Sequence, residues 1–392
     1  MIDGASADTR IVEIGVKAFQ TISRSTTDSG GHRHPGPPRE VTQALVYVTD
    51  SDGETGYCLA QKEHVRPSIV EGHARPALVG GDPFAQGRLW KALAHRQRGA
   101  GGALTDRGIG YFDQALWDLA GRKLGLPVWK LLGGARTSVP AYASTMCGDE
   151  GPAGLATPRD YASYARELVG SGYQAIKLHT WMPPVSFAPS VDRDIEACSA
   201  VRDAVGPNIS LMLDANHWYS RTDALRLGRA LDELGYHWYE EPMEEASIGS
   251  YRWLSSRLST PVIGPESAWG KHLSRAEWVS SGACSILRAG ANDVGGITPA
   301  LKVIHLAEAF NVSCEIHGAS SGNLALVTGA GAGTWYERAL MHPQFDYDTP
   351  APHLNTIIDP VDVHGRVHAP ITPGLGDDLN LDYIDDHIVE TW

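Results

Sequence analysis

No stretch of this chain approaches the roughly 20 consecutive apolar residues that a membrane-spanning helix needs. Charge is sparse, at 20% of residues, and basic charge is the scarcer kind: 33 Lys+Arg stand against 46 Asp+Glu, for a net charge of −13. There is no basic run and no polybasic tail. A chain with this balance repels phosphate backbones, so no nucleic acid and no membrane is expected as a partner. The N-terminus, MIDGASADTRIVEIG, carries Asp3 and Asp8 and lacks the basic start and apolar stretch of a secretory signal. Cysteine is scarce as well. The five residues, at 58, 147, 198, 284 and 314, are odd in number and include no CxxC. That suits reduced thiols in a cytoplasm better than a disulfide framework. No GxGxxG follows the first strand, which argues against a dinucleotide site.

What is present suffices for a large core: 392 residues, 42% of them apolar. RIVEIGVKAFQ (10–20) reads as a strand. The following SRSTTDSGGHRHPGPPRE is polar and rich in Gly and Pro, so it has no face to bury and reads as a long loop. Long loops on compact domains tend to be lids, and His32, Arg33 and His34 would offer polar groups to a ligand. QALVYVTDSDGETGYCLA alternates around DSDGETG and predicts a hairpin. Helical patterns follow at DPFAQGRLWKALAHR and GIGYFDQALWDLAGRKLG, the second stopped by Gly125 and Pro127. Residues 1–134 are therefore expected to form an α+β unit.

Beyond LLGGARTSVP the pattern changes. Short apolar runs (VPAYAST, QAIKLHT, ISLMLDAN, YHWYEEP, PVIGPE, CSILRAG, VSCEIHG) alternate with amphipathic helical stretches. Seven or eight βα units in succession predict a closed parallel barrel, here over 135–360. The tail from 361 to 392 has no further βα unit and is expected to fold back on the N-terminal domain.

A parallel barrel carries its active site at the C-terminal ends of its strands. Those ends hold Lys177 and His179, Asp214, Glu240, Glu266, Gly290 and His317, and Glu337 follows before the expected last strand. Asp214 to Glu240 is 26 residues, and Glu240 to Glu266 is 26 again. That is one βα repeat each time, so the three acids share a height on adjacent strands. One such acid alone would as readily cap a helix. Three converging like charges call for a divalent cation, and all-oxygen ligation favours Mg2+ over Zn2+. Lys177 and His179 point to one face of their strand, the barrel interior. A metal-bound substrate carboxylate would partner the lysine, and His179 would act as a base. His317 faces the metal from the opposite side. Glu337 would hydrogen-bond the substrate carboxylate if protonated, or orient a base. Asn216 and His217, with His32 and His34, suit a hydroxylated ligand.

This ordered set resembles the enolase superfamily, and within it the mandelate racemase-like (mandelate racemase/muconate lactonizing enzyme) group. The likeness spans nearly the whole chain: ALWDLAGRKLGLPVWKLLGG (115–134), DAN (214–216), EEP (240–242), GPE (264–266), DVGGIT (293–298) and PGLG (373–376). It implies a (β/α)7β TIM-like barrel with an α+β capping domain built from both termini and a lid at 21–40. It implies Mg2+ held by Asp214, Glu240 and Glu266, and removal of the proton α to a carboxylate with stabilisation of the enediolate. It also implies a homo-oligomer, dimer or octamer.

Two departures stand out. The family usually has KxK where this chain has Lys177 and His179. The aspartate that usually supports the strand-seven histidine is replaced by Gly290. Asp293 substitutes only if the loop bends back. Without a carboxylate partner His317 should be less basic and act as an acid, which favours one-way β-elimination over racemisation. The expected function is an acid-sugar dehydratase giving a 2-keto-3-deoxy acid. A cycloisomerase opening a sugar lactone or anhydro-sugar acid, a racemase or epimerase, and a catalytically silent metal-binding barrel remain as alternatives.

Overall fold

A computed structural model describes residues 9–151 and 153–392. Residues 1–8, which contain most of the stretch discussed for a secretory signal, lie outside the described residues.

The N-terminal part is an antiparallel sheet packed on helices. Strands β1 (Ile11–Thr27), β2 (Arg33–Asp50) and β3 (Thr55–Ala60) are joined at the β1 edge by the last strand of the chain, Ile388–Thr391. Inward residues such as Val16, Val46 and Val48 pack against Leu89 and Leu93 of α1 (Gln86–Arg96) and Phe112 and Leu116 of α2 (Asp106–Leu124). Thr105 caps α2 by accepting the Gly108 N–H at 3.0 Å.

The segment expected as a lid loop is instead the far end of a hairpin. β1 continues to Thr27 and β2 begins at Arg33, with Thr27 opposite Arg33 and Ile22 opposite Glu40. Pairing two strands satisfies backbone groups without a buried face, so polar composition does not forbid it. Pro35, Pro37 and Pro38 are tolerated because β2 gains its second neighbour only from Ala44 onward. The tip rests on the barrel: a Cβ at Gly30 would stand 2.5 Å from the Pro183 carbonyl oxygen, so only glycine allows this approach.

The second part is built from eight parallel strands: β4 (Ser138–Thr145), β5 (Ala175–His179), β6 (Ser210–Asp214), β7 (Trp238–Glu240), β8 (Val262–Gly264), β9 (Ile286–Ala289), β10 (Ser313–Ile316) and β11 (Tyr336–Met341). Each is joined to the next through a helix, and the lateral order is β10-β9-β8-β7-β6-β5-β4-β11. The β10/β11 seam is bridged by Glu315, which accepts the Thr334 N–H at 2.7 Å, and by Glu337, which accepts the Gly318 N–H at 2.8 Å. This is the (β/α)7β barrel with its capping domain. Glu337 lies within the last strand, opposite Tyr142, rather than before it. After β11 the tail pairs Arg366–His368 antiparallel with β4 and then reaches β1.

Strand periodicity places the site. Tyr142, Ala175, Met212, Trp238, Ile263 and Ile286 form a buried apolar layer inside the barrel. Two residues further along the strands stand Lys177, Asp214, Glu240 and Arg288, again facing inward. His179, Asp214 and Glu240 are register partners, so they lie at one height.

Candidate active site

A buried ion-pair layer sits directly on the apolar floor. Lys177 Nζ lies 3.0 Å from Glu240 Oε2, 3.1 Å from Glu337 Oε1 and 3.3 Å from Asp214 Oδ2. Arg288 Nε lies 2.7 Å from Glu240 Oε1, and its Nη2 lies 2.8 Å from Glu337 Oε2. Two cations, Lys177 and Arg288, therefore share Glu240 and Glu337 out of water, the condition under which buried charges persist. Burial alone would raise the Glu337 carboxyl, but Lys177 and Arg288 outweigh it and hold the group well below the usual carboxylate range. Glu337 is held between two cations, which favour its ionised form. Lys177 finds its partners in the protein, and neither residue borders the open cavity.

Above this layer the carboxylate oxygens of Asp214, Glu241 and Glu266 come within 4.8 Å of one another. The sequence pointed to Glu240 as the middle ligand. Alternation with Trp238 sends Glu240 into the barrel, where Lys177, Arg288 and the Trp238 indole N–H (3.1 Å) hold it. Glu241 adopts a left-handed backbone (φ 44) and turns its side chain back to the mouth. Asn216 (φ 49) and His217 (φ 66) share that conformation, and the two turns are tied by Ala215 N–H to the Glu240 carbonyl (3.0 Å) and His217 N–H to the Glu241 carbonyl (2.7 Å). Such backbone clusters at functional sites.

The three acids fit a divalent cation. Glu266 Oε2 is buried and lacks a hydrogen-bond partner among the described residues. Burial, together with the neighbouring Glu266 and Asp214 charges, pushes Glu241 well up. Burial with the Glu240 charge pushes Glu266 up to about 8, against the pull of His317. Like charges crowded out of water in this way are relieved by a bound cation.

Two histidines flank the acids. His179, on β5, has Nε2 3.0 Å from Asp214 Oδ2. His317, just beyond β10, has Nε2 3.0 Å from Glu266 Oε1 and Nδ1 2.8 Å from Asp293 Oδ2. The missing carboxylate partner is thus supplied from three residues downstream of the usual place. A Cβ at Gly290 would stand 2.2 Å from Asp293 Oδ2, so the glycine is what leaves room for the loop to bend back. Burial disfavours the His317 cation, yet Glu266 and Asp293 outweigh it and raise its pKa to about 9. The expectation of a less basic His317 is overturned, because the partner thought absent is present.

A cavity of about 490 Å³ opens over these groups. His179, Asn216 and His317 border it from the barrel side, and His32, Arg33, Gln61, Arg107 and Tyr111 border it from the capping side. His34 does not border it. Its Nε2 lies 2.9 Å from Asp28 Oδ2 at the hairpin tip, and the same oxygen lies 3.4 Å from His32 Nδ1. His217 turns to Glu241 Oε1 at 3.0 Å instead of to the cavity. Sequence reasoning missed Glu241, Arg288, Arg107 and Tyr111. The parity that singled out Lys177 would have found Arg288, two residues before Gly290. The two α2 residues had no such signal, because on a helix they read as packing.

The family described as Enolase C-terminal domain-like matches residues 160–383, and that described as Mandelate racemase / muconate lactonizing enzyme, N-terminal domain, matches residues 39–133. Among solved structures, D-glucarate dehydratase from Agrobacterium tumefaciens complexed with magnesium is 54% identical with a TM-score of 0.96, covering 98% of this chain and 100% of that one. D-galactarolactone cycloisomerase of Agrobacterium fabrum is 31% identical over 352 residues, 86% of this chain and 89% of that protein. L-talarate/galactarate dehydratase of Salmonella typhimurium is 29% identical over 310 residues, 77% and 74% respectively.

Proposed function

The chain belongs to the mandelate racemase/muconate lactonizing enzyme family of the enolase superfamily, and on that premise we propose that it is a Mg2+-dependent acid-sugar dehydratase. The likeness at 54% identity to a D-glucarate dehydratase makes six-carbon aldaric acids the first substrates to try. Asp214, Glu241 and Glu266 would hold the metal. When bound, Mg2+ supplies the positive charge that makes ionising a C–H bond beside a carboxylate feasible. A ring nitrogen of His179 takes the C2 proton. His317 holds Nδ1–H against Asp293 and delivers the proton on Nε2 to the C3 hydroxyl, which leaves as water. The resulting enol tautomerises to the 2-keto-3-deoxy acid. Each group acts because it favours the charge distribution of the reacting state over that of the substrate.

One observation carries this reading. Two imidazoles approach the acid cluster from different strands, His179 at 3.0 Å from Asp214 and His317 at 3.0 Å from Glu266. Proton removal and leaving-group protonation need two such groups. A cycloisomerase would use the same pair with a ring oxygen leaving, and a relative of that activity is 31% identical.

The test is a panel of aldaric and aldonic acids, lactones and anhydro-sugar acids, incubated with Mg2+ or with EDTA and assayed for 2-keto product. Product from an open-chain acid that EDTA abolishes is expected. Product from lactones or anhydro acids alone would make the enzyme a cycloisomerase, and exchange at C2 with no product a racemase or epimerase. No helix among the described residues is long and apolar enough to cross a membrane. All five thiols are free and buried, which supports a reducing, cytoplasmic setting. A homo-oligomer, dimer or octamer, belongs to the same proposal and is read by sedimentation velocity.

A further inference from the structure

Helix α2 belongs to the capping domain, yet one face of it is fastened to the barrel. Asp113 Oδ2 accepts the Thr298 N–H at 2.9 Å, Gln114 Nε2 donates to Asn292 Oδ1 at 2.9 Å, and Trp117 Nε1 donates to Thr298 Oγ1 at 3.0 Å. All three bonds end on one segment, 292–298, just beyond β9. Arg107, in the first turn of the same helix, sends Nη2 to Asp293 Oδ1 at 3.2 Å. The other oxygen of that carboxylate is the one held by His317 Nδ1 at 2.8 Å. One aspartate therefore joins a guanidinium of the capping domain to an imidazole of the barrel.

A second cavity, of about 520 Å³, adjoins the catalytic one. Arg107, Asn292 and Asp293 border both, so these side chains are the wall between them. The second cavity lies beside Trp269, which is 93% exposed, and so communicates with solvent.

We propose that Arg107 is a positioning residue for the reaction: it fixes the Asp293 carboxylate, and through it the His317 ring, and it closes the catalytic cavity toward its neighbour. The proposal rests on the reading of His317 as a reacting group. Asp293 sits on a loop, not a strand, because the strand position is Gly290. A carboxylate held by His317 alone can rotate about its side-chain bonds. With each oxygen assigned to a different partner, the plane of the group is set, and the imidazole plane with it. The seating of α2 on 292–298 supplies a fixed anchor. The Arg107 side chain is 40% exposed, so the ion pair adds little to stability and its loss should leave the fold intact.

The test compares wild type with Arg107→Ala and Arg107→Lys. The first readout needs no substrate: the proton resonance of the imidazole N–H facing Asp293, assigned by its disappearance in His317→Asn. It should persist in wild type and Arg107→Lys and be broadened by solvent exchange in Arg107→Ala. An unchanged resonance in Arg107→Ala overturns the proposal. The second readout is kinetic. In Arg107→Ala kcat should fall about 10- to 100-fold, the usual cost of removing an orienting partner, with KM within about twofold, and lysine should restore most of it. A raised KM with kcat preserved would mean that the guanidinium holds substrate instead, which also overturns it. Failure of the wild type to turn over any acid would overturn the dehydratase reading alone, and the resonance would still decide the role of Arg107.

Discussion

The Asp293 carboxylate reaches His317 Nδ1 at 2.8 Å through space that a side chain at residue 290 would occupy. Glycine at the strand end and aspartate three residues on are one arrangement, not two separate departures. Gly290→Ala would place a methyl 2.2 Å from Asp293 Oδ2 and 2.9 Å from the His317 carbonyl oxygen. The carboxylate has to leave, and the His317 carbonyl has to give slightly as well. Gly290→Ala and Asp293→Asn should therefore lose activity alike, each about 10- to 100-fold. Steady-state kinetics beside a thermal melt check this. A fully active Gly290→Ala enzyme would show that His317 does not need the contact.

The two histidines should separate the steps. His179→Asn should abolish both solvent-deuterium exchange at C2 and product formation, each falling about 100- to 10,000-fold. His317→Asn should keep exchange and lose product, because proton removal survives while the leaving hydroxyl goes unprotonated. Mass spectrometry of recovered substrate gives the first quantity and keto-acid assay the second. Loss of exchange in His317→Asn would reverse the assignment.

Adjacent glutamates should respond in opposite ways. Glu241→Gln removes one member of a crowded acid trio, so the metal-free protein should keep or gain stability while Mg2+ affinity falls more than about tenfold. Glu240→Gln strips an anion from Lys177 and Arg288 and should destabilise by about 3–5 kcal/mol, as breaking a buried pair does. Titration calorimetry and melts with and without EDTA resolve the two effects. Mg2+ at about a hundred times its Kd should add about 3 kcal/mol to the wild type. If Glu240→Gln folds normally and loses the metal while Glu241→Gln retains it, the ligand is Glu240, as its spacing suggested.

These contrasts show what was legible in the residues. Strand parity and a 26-residue repeat point to His179, Asp214, Glu266 and His317 toward the mouth and to Lys177 inside the barrel, because a barrel converts sequence position into height and facing. Parity ends where a strand ends. Glu241, Asn216 and His217 turn through left-handed backbone, and Asp293 sits on a loop, so no period announces them. Residues 23–40, the far end of the β1/β2 hairpin, read as a loop in the sequence because composition reports burial, whereas pairing of β1 with β2 past Ile22 rests on backbone hydrogen bonds. That Lys177 and Arg288 share Glu240 and Glu337 as partners is a matter of packing that the sequence does not show.

Outside the catalytic cavity, His353 ties stability to acid pH. His353 is buried between the C-terminal tail and the capping sheet, its ring tilted against Phe19 at 5.4 Å between centroids and its Nδ1 3.1 Å from Thr21 Oγ1. Burial disfavours the imidazolium and lowers the pKa to about 4 from 6.5. The unfolded chain therefore binds this proton more readily than the native one. The stability contributed by keeping the ring neutral is complete above pH 6.5 and is lost as pH falls toward about 4, by about 3 kcal/mol at most. His353→Gln keeps a polar partner for Thr21 and cannot take up a proton in this range. Its melting temperature should fall less steeply than that of the wild type between pH 6.5 and 4.5. Parallel curves for the two proteins would mean that the ring is hydrated or charged in the folded state, and that the tail is not closed over it.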